Sequence, residues 1–202
     1  MSTTLRFPVT AQDHAQGAAD APITVVEYGD YQCPHCARAH PVVKGLQRRF
    51  GEQLRVVFRN FPLTEIHGHA LHAAIAAESV GAQLGNDGYW KMHDAIYEHR
   101  MDSATALSDA QLARYAASVG ADPARIASDL ESDAYAERIQ ADFSGGVRSG
   151  VNGTPTFFVN GERYDGDWSD VDTFARDLTR QSGERTARPA SAVPRSIHEN
   201  RI

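Results

Sequence analysis

A strand and a helix meet within the sequence Ile23-Thr24-Val25-Val26-Glu27-Tyr28-Gly29-Asp30-Tyr31-Gln32-Cys33-Pro34-His35-Cys36. Its first six residues are rich in β-branched and aromatic side chains, which is typical of a buried strand. From Pro34 onwards apolar residues recur at helical spacing as far as Phe50, and proline is favourable in the first turn of a helix. The sequence therefore predicts that Cys33 and Cys36 lie where a strand passes into a helix.

The remaining segments follow in an order that fixes the class of fold. A second strand is predicted over 54–59. Helical patterns then follow one another from residue 67 to about 149, with helices predicted over 70–83 and 89–101 among them. Two more strands, 156–160 and 162–164, are separated by Asn160-Gly161, a strong signal for a tight turn. A last amphipathic helix is predicted over 171–181. This order predicts an α/β fold with a central mixed sheet and an all-helical insertion between the two halves of the sheet.

The same boundaries suggest a division into domains. Residues 1–20 are predicted to be an N-terminal extension, and residues 21–66 together with 140–182 to form the sheet-containing domain. Residues 67–139 are predicted to form a helical insertion subdomain, because they are too long for a simple crossover. Residues 183–202 are polar and contain few large apolar groups, so we expect a flexible tail.

Composition excludes several classes of function. The chain has 202 residues, of which 42% are hydrophobic and 23% charged, with a formal net charge of −6. A mildly acidic protein is a poor match for nucleic acid or anionic membranes. We find neither an apolar leader near Met1 nor an uninterrupted apolar stretch of about 18 residues. We therefore predict a cytoplasmic protein with no membrane span and no nucleic-acid partner.

The two cysteines of the chain stand three positions apart. So short a spacing cannot link distant elements, which leaves a redox pair, half of a metal site, or coincidence. A zinc site would need two more ligands, and the sequence has no second Cys-x-x-Cys to supply them. His67, His69 and His72 are clustered and could take part in such a site. We consider them more typical of partly exposed residues at the start of a helix.

A cysteine at the start of a helix has a specific chemistry. Unpaired N–H groups and the positive end of the helix dipole stabilise an anion there, so the thiol pKa of Cys33 should fall. We predict Cys33 as a partly exposed nucleophile and Cys36 as the residue that resolves the mixed disulfide. His35, beside Pro34, can place positive charge or an N–H near the sulfur. The pair Pro34-His35 therefore favours a relatively oxidising site.

Glu27 is a lone acid within the first apolar strand. Alternation along the strand places it on one face, and we predict that this face lies under the two cysteines. A buried carboxyl has a raised pKa and could accept the proton of Cys36. The alternative is a glutamate at the edge of the sheet that faces water.

Gly153-Thr154-Pro155-Thr156 precedes the third predicted strand. Proline is tolerated at the first position of a strand. A cis bond between Thr154 and Pro155 would let this loop turn back against the two cysteines. Most X–Pro bonds in folded proteins are trans, so the residues alone leave the isomer open.

Three stretches together resemble the DsbA-like proteins, which are thiol–disulfide oxidoreductases of the thioredoxin superfamily. They are the stretches 25–36, 58–63 and 150–161, and the resemblance extends in order and spacing over about residues 13–180. It implies a thioredoxin-like fold in which Cys33 attacks, Cys36 resolves and His35 lowers the pKa of Cys33. It also implies that Thr154 and a cis Pro155 line the peptide-binding groove, and that Glu27 is the buried acid of the family.

The function predicted from these observations is the exchange of disulfides with protein or peptide thiols. The Cys33–Cys36 disulfide would store the electrons, so no bound cofactor is expected, although glutathione or a partner reductase or oxidase could restore the pair. One alternative is a glutathione-linked enzyme acting on small molecules. Another is a non-catalytic module that binds zinc or a peptide. An oxidising pair would be mostly reduced in the cytoplasm. The predicted compartment and the predicted oxidising chemistry therefore disagree.

Overall fold

The computed structural model describes residues 3–100 and 102–187. Within these residues the chain forms a five-stranded mixed sheet and six helices, so the predicted α/β class is confirmed. The strands are β1 (His14–Gln16), β2 (Ile23–Gly29), β3 (Leu54–Asn60), β4 (Thr156–Val159) and β5 (Glu162–Tyr164). The helices are α1 (Pro34–Phe50), α2 (Ala70–His99), α3 (Asp109–Ser118), α4 (Pro123–Glu131), α5 (Ala136–Arg148) and α6 (Val171–Ala187).

The order of strands brings two distant parts of the chain together. The strands lie in the order β1-β3-β2-β4-β5, with β2 parallel to β3 and antiparallel to β4. Tyr28, near the end of β2, pairs with Thr156, the first residue of β4. The loop that precedes β4 therefore lies at the same edge of the sheet as the start of α1, which is where the two cysteines are.

Alternation along β2 divides the core between the two faces of the sheet. Val25 belongs to the larger apolar cluster, which also contains Cys33 and Cys36 and extends into the helical insertion. Val26 and Tyr28 point to the other face, where Phe143 of α5 packs against a smaller cluster. Glu27 shares the parity of Val25, so its side chain lies on the face that carries the cysteines.

The longest helix is interrupted where two separate helical segments were predicted. The sequence predicted helices over 70–83 and 89–101, and α2 spans both as far as His99. Gly85 breaks the helical geometry between them, with φ 75° and ψ −169°. Glycine adopts such a conformation without a steric penalty from a side chain. Residue 101 lies outside the described residues.

The N-terminal segment contributes a strand that was not predicted. β1 pairs antiparallel with β3 and extends the sheet beyond its expected edge. The guanidinium of Arg59 on β3 holds the segment through two contacts with the Asp13 carboxylate, at 2.7 and 3.1 Å. The stretch 1–20 thus supplies an edge strand as well as an extension.

The C-terminal helix is longer than predicted. α6 begins at Val171, as expected, and continues to Ala187 instead of ending at 181. The predicted tail, 183–202, lies outside the described residues from 188 onwards. None of the helices formed by the described residues is long and apolar enough to cross a membrane.

Candidate functional site

Cys33 is the N-cap residue of α1, and Pro34 occupies the first helical turn. Both cysteines are thiols, and Cys36 is completely buried. Cys33 is only 4% exposed, less than the partial exposure that we predicted. The loop before β4 covers it, because the backbone carbonyl of Thr154 lies 3.4 Å from its sulfur. Pro34 and His35 are exposed, so a substrate would approach Cys33 beside these two residues.

The two thiols differ strongly in acidity. Hydrogen bonding from the Cys36 thiol lowers the pKa of Cys33 to about 5, and the backbone N–H groups of His35 and Cys36 act in the same direction. Burial raises the pKa of Cys36 well above its usual value, and its hydrogen bond to Cys33 adds to this rise. At neutral pH the pair is therefore one thiolate and one thiol, which distinguishes an attacking sulfur from a resolving sulfur.

Thr154 and Pro155 form the wall that faces Cys33. The peptide bond between them is cis. When Cys33 is protonated, its thiol donates a hydrogen bond to the Thr154 carbonyl at 3.4 Å. The Thr156 hydroxyl donates to the Gly153 carbonyl at 2.8 Å, which closes the turn. The structure thus brings together the cysteines and the loop that the sequence singled out 120 residues further along the chain.

The ring of His35 has a partner other than Cys33. Its Nδ1 lies 2.6 Å from the guanidinium of Arg38, one turn further along α1. Since the guanidinium can only donate, Nδ1 accepts and the ring proton is on Nε2. His35 therefore lowers the pKa of Cys33 through its backbone N–H.

Glu27 lies in the centre of the sheet, paired with Phe58 on β3 and Phe157 on β4. It is 4% exposed, so the alternative of a water-facing edge residue does not describe it. Burial raises the pKa of Glu27 to about 8, and the negative charge of the Cys33 thiolate acts in the same direction. Its charge in turn contributes to the raised pKa of Cys36. Glu27 thus stands in electrostatic contact with both cysteines.

Asp30 is a residue of the site to which the sequence analysis gave no role. Its carboxylate accepts hydrogen bonds from the backbone N–H groups of Gln32 and Cys33, at 2.7 and 3.2 Å. Its own backbone N–H donates to the sulfur of Cys36 at 3.4 Å. An Asp in the first loop position after a strand is a signal for this kind of side-chain-to-backbone turn, and it could have found Asp30.

The three clustered histidines have separate surroundings. The Nδ1 of His67 lies 2.7 Å from Asp30, and that of His72 lies 2.7 Å from Asp109. His69 is exposed, and its backbone N–H donates to the side-chain oxygen of Gln32. The structure therefore does not gather these histidines around a common centre.

Another group of possible metal ligands lies behind the site. His40, His93 and Asp94 place ligand atoms within 4.8 Å of one another, the one such group of three among the described residues. Asp94 already binds His40 at 2.9 Å and Lys44 at 2.7 Å. His93 is buried among aromatic rings, and its Nδ1 lies 3.0 Å from the Tyr31 hydroxyl. The ammonium group of Lys44 makes this group a poor cation site.

A family model described as thioredoxin matches residues 9–176. The chain belongs to this thioredoxin family. Among curated proteins, it is 42% identical over 158 residues to the Na(+)/H(+) antiporter NhaA 1 of Salinispora arenicola. That match covers 78% of the chain and 23% of the antiporter, so this thioredoxin family member spans about a quarter of the length of the curated relatives it matches.

Solved structures place this thioredoxin family member beside DsbA-type proteins. BdbD from Bacillus subtilis is 23% identical with a TM-score of 0.79, covering 91% of this chain and 100% of that one. Wolbachia pipientis α-DsbA1 is 21% identical with a TM-score of 0.75, covering 92% and 98%. A thioredoxin-like oxidoreductase from Silicibacter pomeroyi DSS-3 is 25% identical with a TM-score of 0.66, covering 90% and 95%. The resemblance to DsbA-like proteins that the sequence suggested is confirmed.

Proposed function

We propose that this protein is a thiol–disulfide oxidoreductase that exchanges disulfides with protein or peptide thiols through Cys33 and Cys36. One observation carries the proposal: a cysteine at a helix N-terminus whose pKa is about 5 lies in hydrogen-bond contact with a buried cysteine whose pKa is raised. The likeness to DsbA-type oxidoreductases supports it.

The exchange proceeds through a mixed disulfide. When the pair is oxidised, a substrate thiolate attacks the sulfur of Cys33 and forms a new S–S bond, while the Cys33–Cys36 bond breaks and leaves a thiolate on Cys36. Glu27, whose pKa is raised by burial, can donate its proton to Cys36. A second substrate thiolate then displaces Cys33. The substrate gains a disulfide, and the protein keeps two electrons as a dithiol.

The low pKa of Cys33 favours the oxidising direction. Stabilisation of the thiolate stabilises the reduced protein, and each pKa unit corresponds to about 1.4 kcal/mol, or about 30 mV for a two-electron couple. A fall from 9.0 to about 5 therefore raises the potential by on the order of 100 mV. We propose a relatively oxidising pair that needs no bound cofactor.

The curated relatives suggest a more specific partner. In those antiporters a segment like this one belongs to a protein about four times as long. We infer that the partner is a thiol of a membrane transporter, or of a protein close to one. In the Cys36→Ala variant the Cys33 thiolate attacks a disulfide of the partner, forms a mixed disulfide with one sulfur and releases the other as a thiolate. This mixed disulfide would persist, because the resolving sulfur is missing. Recovery of a transporter in that adduct supports this partner, and recovery of glutathione alone supports the small-molecule alternative.

The activity is tested by the reduction of insulin disulfides with dithiothreitol as the electron donor. Cys33→Ser should abolish the catalysed rate, because the attacking sulfur is gone. Cys36→Ser serves as the matched control, since its Cys33 thiolate should still attack an insulin disulfide, form a mixed disulfide with one insulin sulfur and release the other as a thiolate. Catalysis by Cys33→Ser at the rate of the unaltered protein would overturn the proposal. Zinc bound by the unaltered protein and lost in Cys33→Ser would favour the zinc-binding module instead.

A further inference from the structure

We propose that His67 is a positioning residue for Cys33 and acts through the buried carboxylate of Asp30. The proposal rests on the proposed function, because it concerns the balance between the dithiol and the disulfide at that site. His67 lies outside the Cys-Pro-His-Cys motif, on the segment between β3 and α2.

Asp30 connects the cysteine turn to the segment that carries His67. Its Oδ1 accepts the N–H groups of Gln32 and Cys33, and its Oδ2 accepts the N–H of Leu63 at 2.8 Å. The fourth partner is the Nδ1 of His67, 2.7 Å from Oδ2. The side chain of Asp30 has no exposed surface. Such a buried carboxylate depends on its hydrogen-bond donors, because water cannot replace them.

The geometry fixes the role of the His67 ring. Three of the four partners of Asp30 are backbone N–H groups, so the carboxylate acts as an acceptor. The Nδ1 of His67 must then carry a proton and donate it to Oδ2. The ring is 15% exposed, and it is the one side-chain donor that this carboxylate has among the described residues. It therefore draws negative charge towards Oδ2, on the side away from the N–H of Cys33.

Loss of this donor should affect the two redox states unequally. Without His67, the charge of Asp30 is compensated less and acts more strongly on Cys33, whose backbone N–H this carboxylate binds. A thiolate at Cys33 is repelled by that charge, whereas the uncharged disulfide is not. The reduced protein should therefore lose more stability than the oxidised protein. A purely structural role for His67 would destabilise both states by the same amount and leave their equilibrium unchanged.

The test compares four proteins in glutathione buffers, using the reaction in which the protein disulfide and two glutathione thiols give the dithiol and glutathione disulfide. For His67→Ala we expect the equilibrium constant for reduction to fall about 3- to 10-fold, which corresponds to a shift of about half to one unit in thiol pKa. His67→Asn, whose amide nitrogen can take the place of Nδ1, should stay within about twofold of the unaltered protein. His69→Ala is the matched control and should also stay within about twofold.

Denaturant unfolding of both redox forms provides the second readout. His67→Ala should lower the free energy of unfolding of the reduced form more than that of the oxidised form. An unchanged glutathione equilibrium with equal losses in both forms would overturn the inference. If His67→Ala fails to fold, His67→Gln replaces it, because its amide nitrogen lies one bond further out. Equal equilibria for the Asn and Gln variants would then overturn the inference.

Failure of the proposed function would look different. In that case the unaltered protein would show no reversible exchange between Cys33–Cys36 and glutathione. If the exchange is reversible but its equilibrium constant is unchanged in His67→Ala, only the positioning role is contradicted, and the oxidoreductase function stands.

Discussion

Cys36 is the strongest single influence on the acidity of Cys33, because its thiol donates a hydrogen bond to the thiolate. The sequence predicted a lowered pKa from the helix N-terminus, and the backbone N–H groups of His35 and Cys36 do contribute. The hydrogen bond from Cys36 could not be predicted, because it depends on the side-chain geometry of the first helical turn.

Replacement of Cys36 by Ala should therefore raise the pKa of Cys33. Hydrogen bonds to charged groups contribute about 1.5–3 kcal/mol, which corresponds to a rise of about 1 to 2 pH units. The pH dependence of alkylation by iodoacetamide measures this change. Cys36→Ser keeps a hydroxyl donor at the same place and should retain a lower value. Identical profiles for the Ala and Ser variants would show that the hydrogen bond is not the cause.

Glu27 should make stability depend on pH in the reduced protein. Its pKa rises from 4.5 to about 8 on folding, so the folded state holds the proton more tightly than the unfolded state does. Stability should thus fall as the pH rises from about 4.5 to 8. Glu27→Gln removes this loss and should be more stable above pH 8, by on the order of 5 kcal/mol, with little difference below pH 4.

Urea unfolding of the reduced protein and the variant across this range is the measurement. The oxidised protein should show a smaller difference, because the Cys33 thiolate that helps to raise the pKa of Glu27 is absent there. Parallel curves for the variant and the unaltered protein at all pH values would mean that folding does not raise the pKa of Glu27.

At the scale of elements, the sequence was most informative where local patterns are strong. The run of β-branched residues in β2 and the start of α1 at Pro34 were predicted correctly. β1 was missed because His14–Gln16 is short and lacks β-branched residues, so its strand conformation comes from pairing with β3. The ion pair of Arg59 was not predicted either, because its partner Asp13 lies 46 positions away in the chain.

The contact between Asp13 and Arg59 should hold the N-terminal segment to the sheet. Their side chains are 8% and 7% exposed. Burial opposes ionisation of Asp13, but hydrogen bonds from Arg59 and Thr10 outweigh it and lower the pKa of Asp13. Asp13→Asn should lower the free energy of unfolding at neutral pH by about 3 kcal/mol, because it leaves the Arg59 charge without its buried partner.

The sign of the pH dependence follows from the lowered pKa. The stabilisation is present above the ordinary value of 3.8 and is lost as the pH falls through the lower folded value. The difference between Asp13→Asn and the unaltered protein should therefore shrink near pH 3. Asp20→Asn, at an exposed position of the same segment, is the control and should change stability by less than about 0.5 kcal/mol. Equal effects at positions 13 and 20 would contradict the anchoring role.

At the scale of the whole molecule, topology assembles the site from parts that the sequence keeps far apart. β2 delivers Cys33, and the antiparallel pairing of β4 with β2 delivers Thr154 and Pro155. The sequence predicted both parts and, through the DsbA-like resemblance, their meeting. For Asp30 it carried a local signal, the turn to the N–H groups of Gln32 and Cys33. The other two donors, Leu63 and His67, come from another loop and meet the carboxylate only in the folded chain.

The equilibrium of the Cys33–Cys36 pair with glutathione tests the proposed chemistry most directly. A reversible two-electron couple with a potential less negative than about −200 mV is expected, because the Cys33 thiolate stabilises the reduced protein. A value near the roughly −270 mV of thioredoxin would contradict an oxidising site. The absence of any reversible exchange would contradict the function itself.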